Sequence, residues 1–278
     1  MTLIASYRLN ETDSVFLNDL RISEKDGDGK VVEPRTDDVV KQLHITEEGN
    51  HIGFFATGPR AYWQNAEEKV RDVLADLSPD DVLEDYGPLQ SALTDAAGDG
   101  QDWPVDGEGK LDVACASAFF LNVDTGETVL FTVTVHLGKG CLPLQEPPIG
   151  EPLLLGSGAS IEGLVDSVAH AAQRLTNMRC AYEPYFKPNG MNPEDFEDFF
   201  TSSYEFAKGL RQSILNYIQS KDPSLFERKG VSPFLMISIL EDGGFRVIGE
   251  ESEGVQVKDG VWTQTGYHIG GDLVPRQP

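Results

Sequence analysis

Thr2 is the residue best equipped to do chemistry in this chain. It follows the initiator Met1, and a small second residue is the setting in which the initiator is usually trimmed. Trimming leaves a free α-amine and a hydroxyl on one residue. A threonine hydroxyl is a poor nucleophile alone, but an N-terminal amine titrates near neutrality and can take its proton, directly or through a water. That pair of groups is suited to attack on a carbonyl. The plainer reading makes Thr2 an ordinary strand residue near an ordinary start. Downstream, a carboxylate, Asp19, closes the second apolar stretch, Ser14-Val15-Phe16-Leu17-Asn18.

Other arrangements fail on spacing. Asp26-Gly27-Asp28-Gly29 opens like a calcium loop, but Lys30 and Asp37 stand where such a loop needs an oxygen ligand and a bidentate Glu, so a turn is expected. Cys115, Cys141 and Cys180 lack metal-type spacing and a nucleophile elbow, and read as reduced thiols. His44 and His51 flank a turn without a set of metal partners. Gly156-Ser157-Gly158 lacks the lysine and spacing of a phosphate loop. No cofactor and no metal is expected.

The elements that must position these residues follow from periodicity. Met1–Arg8 and Ser14–Asp19 read as strands across a polar turn. Val39–Ile45 and His51–Ala56 read as two more across Glu47-Glu48-Gly49-Asn50. After Thr57-Gly58-Pro59, a helix carries Trp63, Ala66, Val70, Val73, Leu74 and Leu77 on one face. A second helical stretch, Asp80–Ala97, is broken near Gly87-Pro88, and Gly98–Lys110 is a surface loop. Strands are expected near Leu111–Leu121, Glu127–Leu137 and Leu153–Leu155. Helical stripes follow from Ile161 to Leu175 and from Phe196 to Ile214, then strands at Phe234–Leu240 and Phe245–Ile248. The tail from Glu250 reads as extended or irregular.

Strands and helices thus come in blocks rather than in βαβ units. Each helix has one apolar stripe and each strand needs cover. This predicts an α+β fold, a four-layer αββα sandwich of two antiparallel sheets between helix layers. At 278 residues and 40 % hydrophobic content the chain can form one large domain over 1–278, with an acidic insertion at about 78–110 and a Gly-rich tail at about 250–278. A net charge of −24 argues against nucleic acid and anionic membrane surfaces as partners. Apolar runs such as Pro152–Leu155 are too short to cross a bilayer, and with no targeting segment a cytoplasmic protein is expected.

This order resembles the N-terminal-nucleophile hydrolases of the proteasome type, meaning proteasome β subunits and the HslV peptidase. Thr2-Leu3-Ile4-Ala5 resembles that family's Thr-Thr-Ile-Val opening. Asn18-Asp19-Leu20-Arg21 resembles its Ala-Asp-Ser-Arg signature, with one extra residue in the preceding turn. Ile52–Gly58 resembles the segment holding its Ala-Gly-Gly, and Leu155-Gly156-Ser157-Gly158 resembles its Gly-Ser-Gly turn.

The resemblance implies a threonine-type amide hydrolase or peptidase, with Thr2 the nucleophile and Asp19 holding the catalytic lysine. Lys41 is the nearest lysine on the third strand. Anchoring on Ile45 puts Lys41 at the lysine position, and anchoring on Leu43 puts Val39 there, which implies a dead site. Ser157 would support the N-terminal amine, or cap the helix behind it. Asp222 would orient that serine, although the family's Ser-Gly-Gly is not cleanly present after it. The backbone N–H at Thr57, beside Gly58, would bind the oxyanion. Phe55 would floor the substrate pocket, or serve only as core. The rival readings are a catalytically inactive structural subunit and an acylase acting on a small amide. The resemblance also implies a homo-oligomer, ring or spiral, and an ATP-dependent unfoldase as a partner class. Independent support for assembly is the helix expected over Glu194–Ser220, where Tyr204 and Phe206 fall off the apolar stripe.

Overall fold

Every residue of β1 (Ile4–Arg8) and β2 (Ser14–Asp19) is buried, so both faces of these strands need cover. Alternation sorts their side chains between two apolar clusters. Leu3, Ala5, Tyr7, Val15 and Leu17 join one, whereas Ile4 and Phe16 join another. The computed structural model describes residues 3–19, 22–25, 31–36, 42–84, 87–98, 113–186, 203–228, 231, 235–241, 244–249 and 267–274.

β1 and β2 lie inside a six-stranded antiparallel sheet. Its order is β10 (Pro152–Leu155), β1, β2, β11 (Leu235–Glu241), β12 (Gly244–Gly249) and β13 (Tyr267–Val274). A second, five-stranded antiparallel sheet runs β5 (Gln42–Glu47), β6 (Asn50–Thr57), β7 (Val113–Asn122), β8 (Thr128–His136) and β9 (Gly140–Cys141). β3 (Ile22–Lys25) pairs only with β4 (Val31–Thr36) among the described strands. The β5–β6 turn uses Glu48 and Gly49 at φ 44° and 87°, the left-handed pair that matches strand twist in a two-residue hairpin.

Helices cover both outer faces. α1 (Arg60–Leu74), α2 (Pro79–Leu83) and α3 (Pro88–Ala97) pack Trp63, Val70, Val82 and Leu93 with Ile52, Phe54, Phe131 and Val133 of the five-stranded sheet. On the other side, α4 (Leu164–Phe186) and α5 (Ser203–Lys221) set Val168, Ala172, Leu210 and Ile214 against β1, β2 and β11, with the short α6 (Leu225–Arg228) following. A third cluster, Ile4, Phe16, Phe55, Phe119, Met236 and Phe245 among others, fills the space between the sheets. The expected four-layer αββα sandwich is the fold.

In the tail, expected to be extended or irregular, Tyr267–Val274 is a strand that extends the first sheet beside β12. After Asp19 the strand pair β3–β4 is present, and the turn expected at Asp26–Gly29 lies outside the described residues. One expectation changes. Phe206 is not left over on the surface: it is 5 % exposed and its ring lies 4.7 Å from that of Tyr7. The helix turns this ring into the sheet, so the aromatic excess no longer argues for a contact; Phe196, Phe199 and Phe200 lie outside the described residues. Among the described residues no helix is long and apolar enough to cross a membrane.

Candidate functional site

The two sheets meet row against row. In the six-stranded sheet, Ser238, Phe16 and Ser6 share one rung; in the five-stranded sheet, Gln42, Phe55 and Ser117 do. Across the gap Gln42 Nε2 donates to Ser238 Oγ at 2.9 Å, Phe16 stacks on Phe55, and Ser117 Oγ donates to Ser6 Oγ at 2.8 Å. On one side of this row, His44 and Phe119 pack against Phe245. On the other side, the rung Thr57–Cys115–Thr134 therefore faces the rung Leu155–Ile4–Asn18–Met236.

That end of the sandwich gathers motifs far apart in sequence. The Asp19 backbone N–H donates to Leu3 O at 3.0 Å, and Asp19 itself has 0 % exposure. A carboxylate so placed is costly unless its charge is compensated. Beyond Leu155, Gly156 takes φ 84° and turns the chain into a short 3-10 helix, Ser157–Ser160. There Gly158 presses on Leu3: a Cβ on it would lie 2.6 Å from Leu3 Cδ1 and 2.7 Å from Leu3 Cβ. Ser157, half-buried, heads that turn, and its carbonyl accepts from Ser160 Oγ at 2.7 Å.

Thr57 ends β6 half-buried, with its carbonyl accepting from Trp63 Nε1 at 3.1 Å. Gly58 is exposed at φ 112°, and a Cβ on it would sit 2.8 Å from Ala114 Cα, so the position demands glycine twice over. Asp222 follows α5, where its carboxylate accepts from the Ser224 N–H at 2.9 Å, a local turn bond. Phe55 is fully buried, its ring 4.1 Å from that of Phe16. Thr2 and Lys41, the proposed nucleophile and lysine, lie outside the described residues.

The polar groups between the sheets are ones that motif reading passed over. Gln42 Nε2 also donates to Asn18 Oδ1 at 2.7 Å, and Gln42 Oε1 accepts from His44 Nε2 at 2.9 Å. The sequence signal was available: Asn18 closes an otherwise apolar buried run, and His44 alternates with Leu43 and Ile45. His44 and His51 stack at 5.5 Å and 17°. Burial pushes His44 down to about 3, with the neighbouring His51 adding to it, and pushes His51 down to about 4. Both rings are therefore neutral near pH 7. Burial raises the Cys115 thiol, and raises that of Cys141 to about 12, opposite to what a thiolate nucleophile needs. Among the described residues no three His, Cys, Asp or Glu gather as a metal set.

No protein-family model matches the chain, and no curated protein does. Solved structures do. "Anbu (ancestral beta-subunit)" from Yersinia bercovieri is 13 % identical with a TM-score of 0.50, over 91 % of this chain and 89 % of that one. Anbu from Hyphomicrobium sp. strain MC1 is 14 % identical with a TM-score of 0.46, over 91 % and 89 %. The Yersinia structure corrects the expected resemblance to proteasome β subunits and HslV, since Anbu is a proteasome-like but distinct family. Short, degenerate motifs shared across one fold could not separate its families. At such identities, what the likeness to the Yersinia protein shows is the fold: a proteasome-like sandwich of two antiparallel sheets between helices.

Proposed function

We propose that the chain is a proteasome-like N-terminal-threonine amide hydrolase acting on peptides, with Thr2 as nucleophile after removal of Met1. The observation that carries this reading is the anchoring of Leu3 between the Asp19 backbone and Gly158. It brings three of the motifs to the residue covalently next to Thr2. In this mechanism Thr2 Oγ attacks the amide carbonyl, and the α-amine takes the hydroxyl proton and returns it to the leaving nitrogen. Thr2 is then an ester, which water hydrolyses. Lys41, paired with Asp19, would favour the unprotonated amine, Ser157 would support it, and the Thr57–Gly58 backbone would bind the oxyanion. Assembly as a homo-oligomer through the helical layers belongs to the same proposal, as does a single domain over 1–278.

The test is intact mass with and without a peptide vinyl sulfone, for wild type and Thr2→Ala. Loss of Met1 and one adduct on wild type alone are expected. Adducts on both, or on neither with Met1 removed, overturn the reading.

A second reading, a catalytically inactive structural subunit, is favoured by one observation. Among the described residues, Asn18, Gln42 and Ser238, all neutral, meet beside the end of β2. The same experiment separates the two.

A further inference from the structure

Two imidazoles stack between the sheets, each with one nitrogen left over. The ring centroids of His44 and His51 are 5.5 Å apart and the rings 17° from parallel. Gln42 turns its Nε2 to Asn18 and Ser238, so its Oε1 accepts from His44 Nε2, and His44 Nδ1 carries a bare lone pair. His51 Nδ1 shares a hydrogen bond of 2.7 Å with Thr46 Oγ1, which leaves His51 Nε2. Both leftover nitrogens are buried and without a hydrogen-bond partner among the described residues. Gly53, the cross-strand partner of His44, shows how the first is sealed. A Cβ on it would lie 3.1 Å from His44 Nδ1 and 2.3 Å from Phe119 Cε1, so the Phe119 ring takes the space where a side chain would stand.

A proton arriving here meets no anion among the described residues. Phe55, Phe119 and Phe245, from β6, β7 and β12, pack on the two rings. Alternation turns the nearby carboxylates away: Glu47 of β5 pairs with Arg71 of α1, Glu241 alternates with Leu240, and Asp19 alternates with Asn18. Asp13 bonds Asn10 within its own turn, and Arg8 of β1 is taken by Glu146 and by the carbonyls of Asn10, Glu11 and Pro147. Cys115 of β7 lies beyond the Phe55 row. Burial accordingly holds both imidazoles neutral, titrating only at about 3 and about 4. The element free to yield is β5, which ends its sheet and pairs only with β6, whereas β6 and β12 have a strand on each side. Lifting it wets both leftover nitrogens and takes Gln42 off Asn18 and Ser238 of the other sheet. We propose that the His44–His51 pair is an acid-sensitive latch: when it takes up protons, β5 parts from β6 and from the six-stranded sheet while the rest of the sandwich stays folded. The latch needs no catalysis and works the same way in an active hydrolase or an inactive subunit.

Hydrogen exchange of the full-length chain, read by mass spectrometry and corrected for intrinsic rates at each pH, tests this. The closed state binds protons more weakly than the open one, so acid favours opening. Each histidine that regains a pKa of about 6.5 on opening raises the opening constant about tenfold between about pH 7.5 and about pH 5.5, and the pair about a hundredfold. Protection across Gln42–Glu47 should fall by that factor. At the lower pH it should be about tenfold or more below that of Ser14–Asp19 and Leu235–Glu241, as local opening requires. Equal protection in the three segments means global unfolding alone and overturns the latch; so does β5 protection that does not change with pH. His44→Gln keeps a donor beside Gln42 without the titrating nitrogen, and should cut the change to about tenfold. A variant that keeps the full change overturns the latch. If His44→Gln does not fold, His51→Phe decides by the same measure.

Discussion

Phe16 and Phe55 stack with their rings 4.1 Å apart and 10° from parallel, one from each sheet, and neither is more than 1 % exposed. Polar pairs flank them on the same row, Gln42 with Ser238 and Ser117 with Ser6. The stack therefore sets the spacing of the sheets at the row next to the candidate site.

Phe16→Ala should cost about 3–5 kcal/mol, because the facing ring cannot collapse into the space while the flanking pairs hold the sheets apart. Urea unfolding checks this. A loss below about 1 kcal/mol would show that the sheets close over the cavity.

Gly158→Ala should displace the start of β1, because the new methyl would meet Leu3 at its Cβ as well as at its Cδ1, so that turning the side chain alone cannot relieve the clash. A loss of roughly 1–3 kcal/mol is expected, together with slower vinyl sulfone labelling. Normal stability with normal labelling would mean that this contact does not position the N-terminal segment.

Lys41→Ala should slow labelling by roughly 10²–10⁴, the contribution of a positioned acid–base group. If Lys41→Ala and Asp19→Ala both label at the wild-type rate, the lysine assignment fails.

Stability should fall as pH drops below about 6.5. His44 and His51 bind protons at about 6.5 when unfolded but only at about 3 and about 4 when folded. Between those values the unfolded state holds more protons, so acid favours unfolding, by up to about 1.4 kcal/mol per pH unit for each imidazole. The penalty is absent above about 7 and complete below the folded values. His51→Phe, among Phe119 and Phe245, should remove one proton's worth of slope in urea unfolding from about pH 7 to about pH 5. An unchanged slope would show that His51 is not one of the groups responsible.

With −24 charges per chain, self-association should strengthen as salt screens repulsion between copies. Light scattering at low and physiological salt should show a mass above one chain, greater at the higher salt. A single-chain mass in both removes the assembly proposal.

Local pattern determined the layers. The strands Ser14–Asp19 and Asn50–Thr57, the helix from Arg60 and the break at Gly87-Pro88 were legible because turn residues and apolar spacing act over a few positions. Asp19 and Thr57 were legible as the last residues of β2 and β6, and Gly156–Gly158 as the turn that follows β10. Tertiary structure decided what faces what. The burial of Phe206 depends on the sheet it meets, and the pairing of Tyr267–Val274 on a partner strand about twenty residues away. The Asn18–Gln42–Ser238 cluster joins three strands from both sheets, with Gln42 and Ser238 separated by 196 positions. No spacing rule spans that interval, because the contact exists only once the two sheets have stacked and their registers have brought one row over the other.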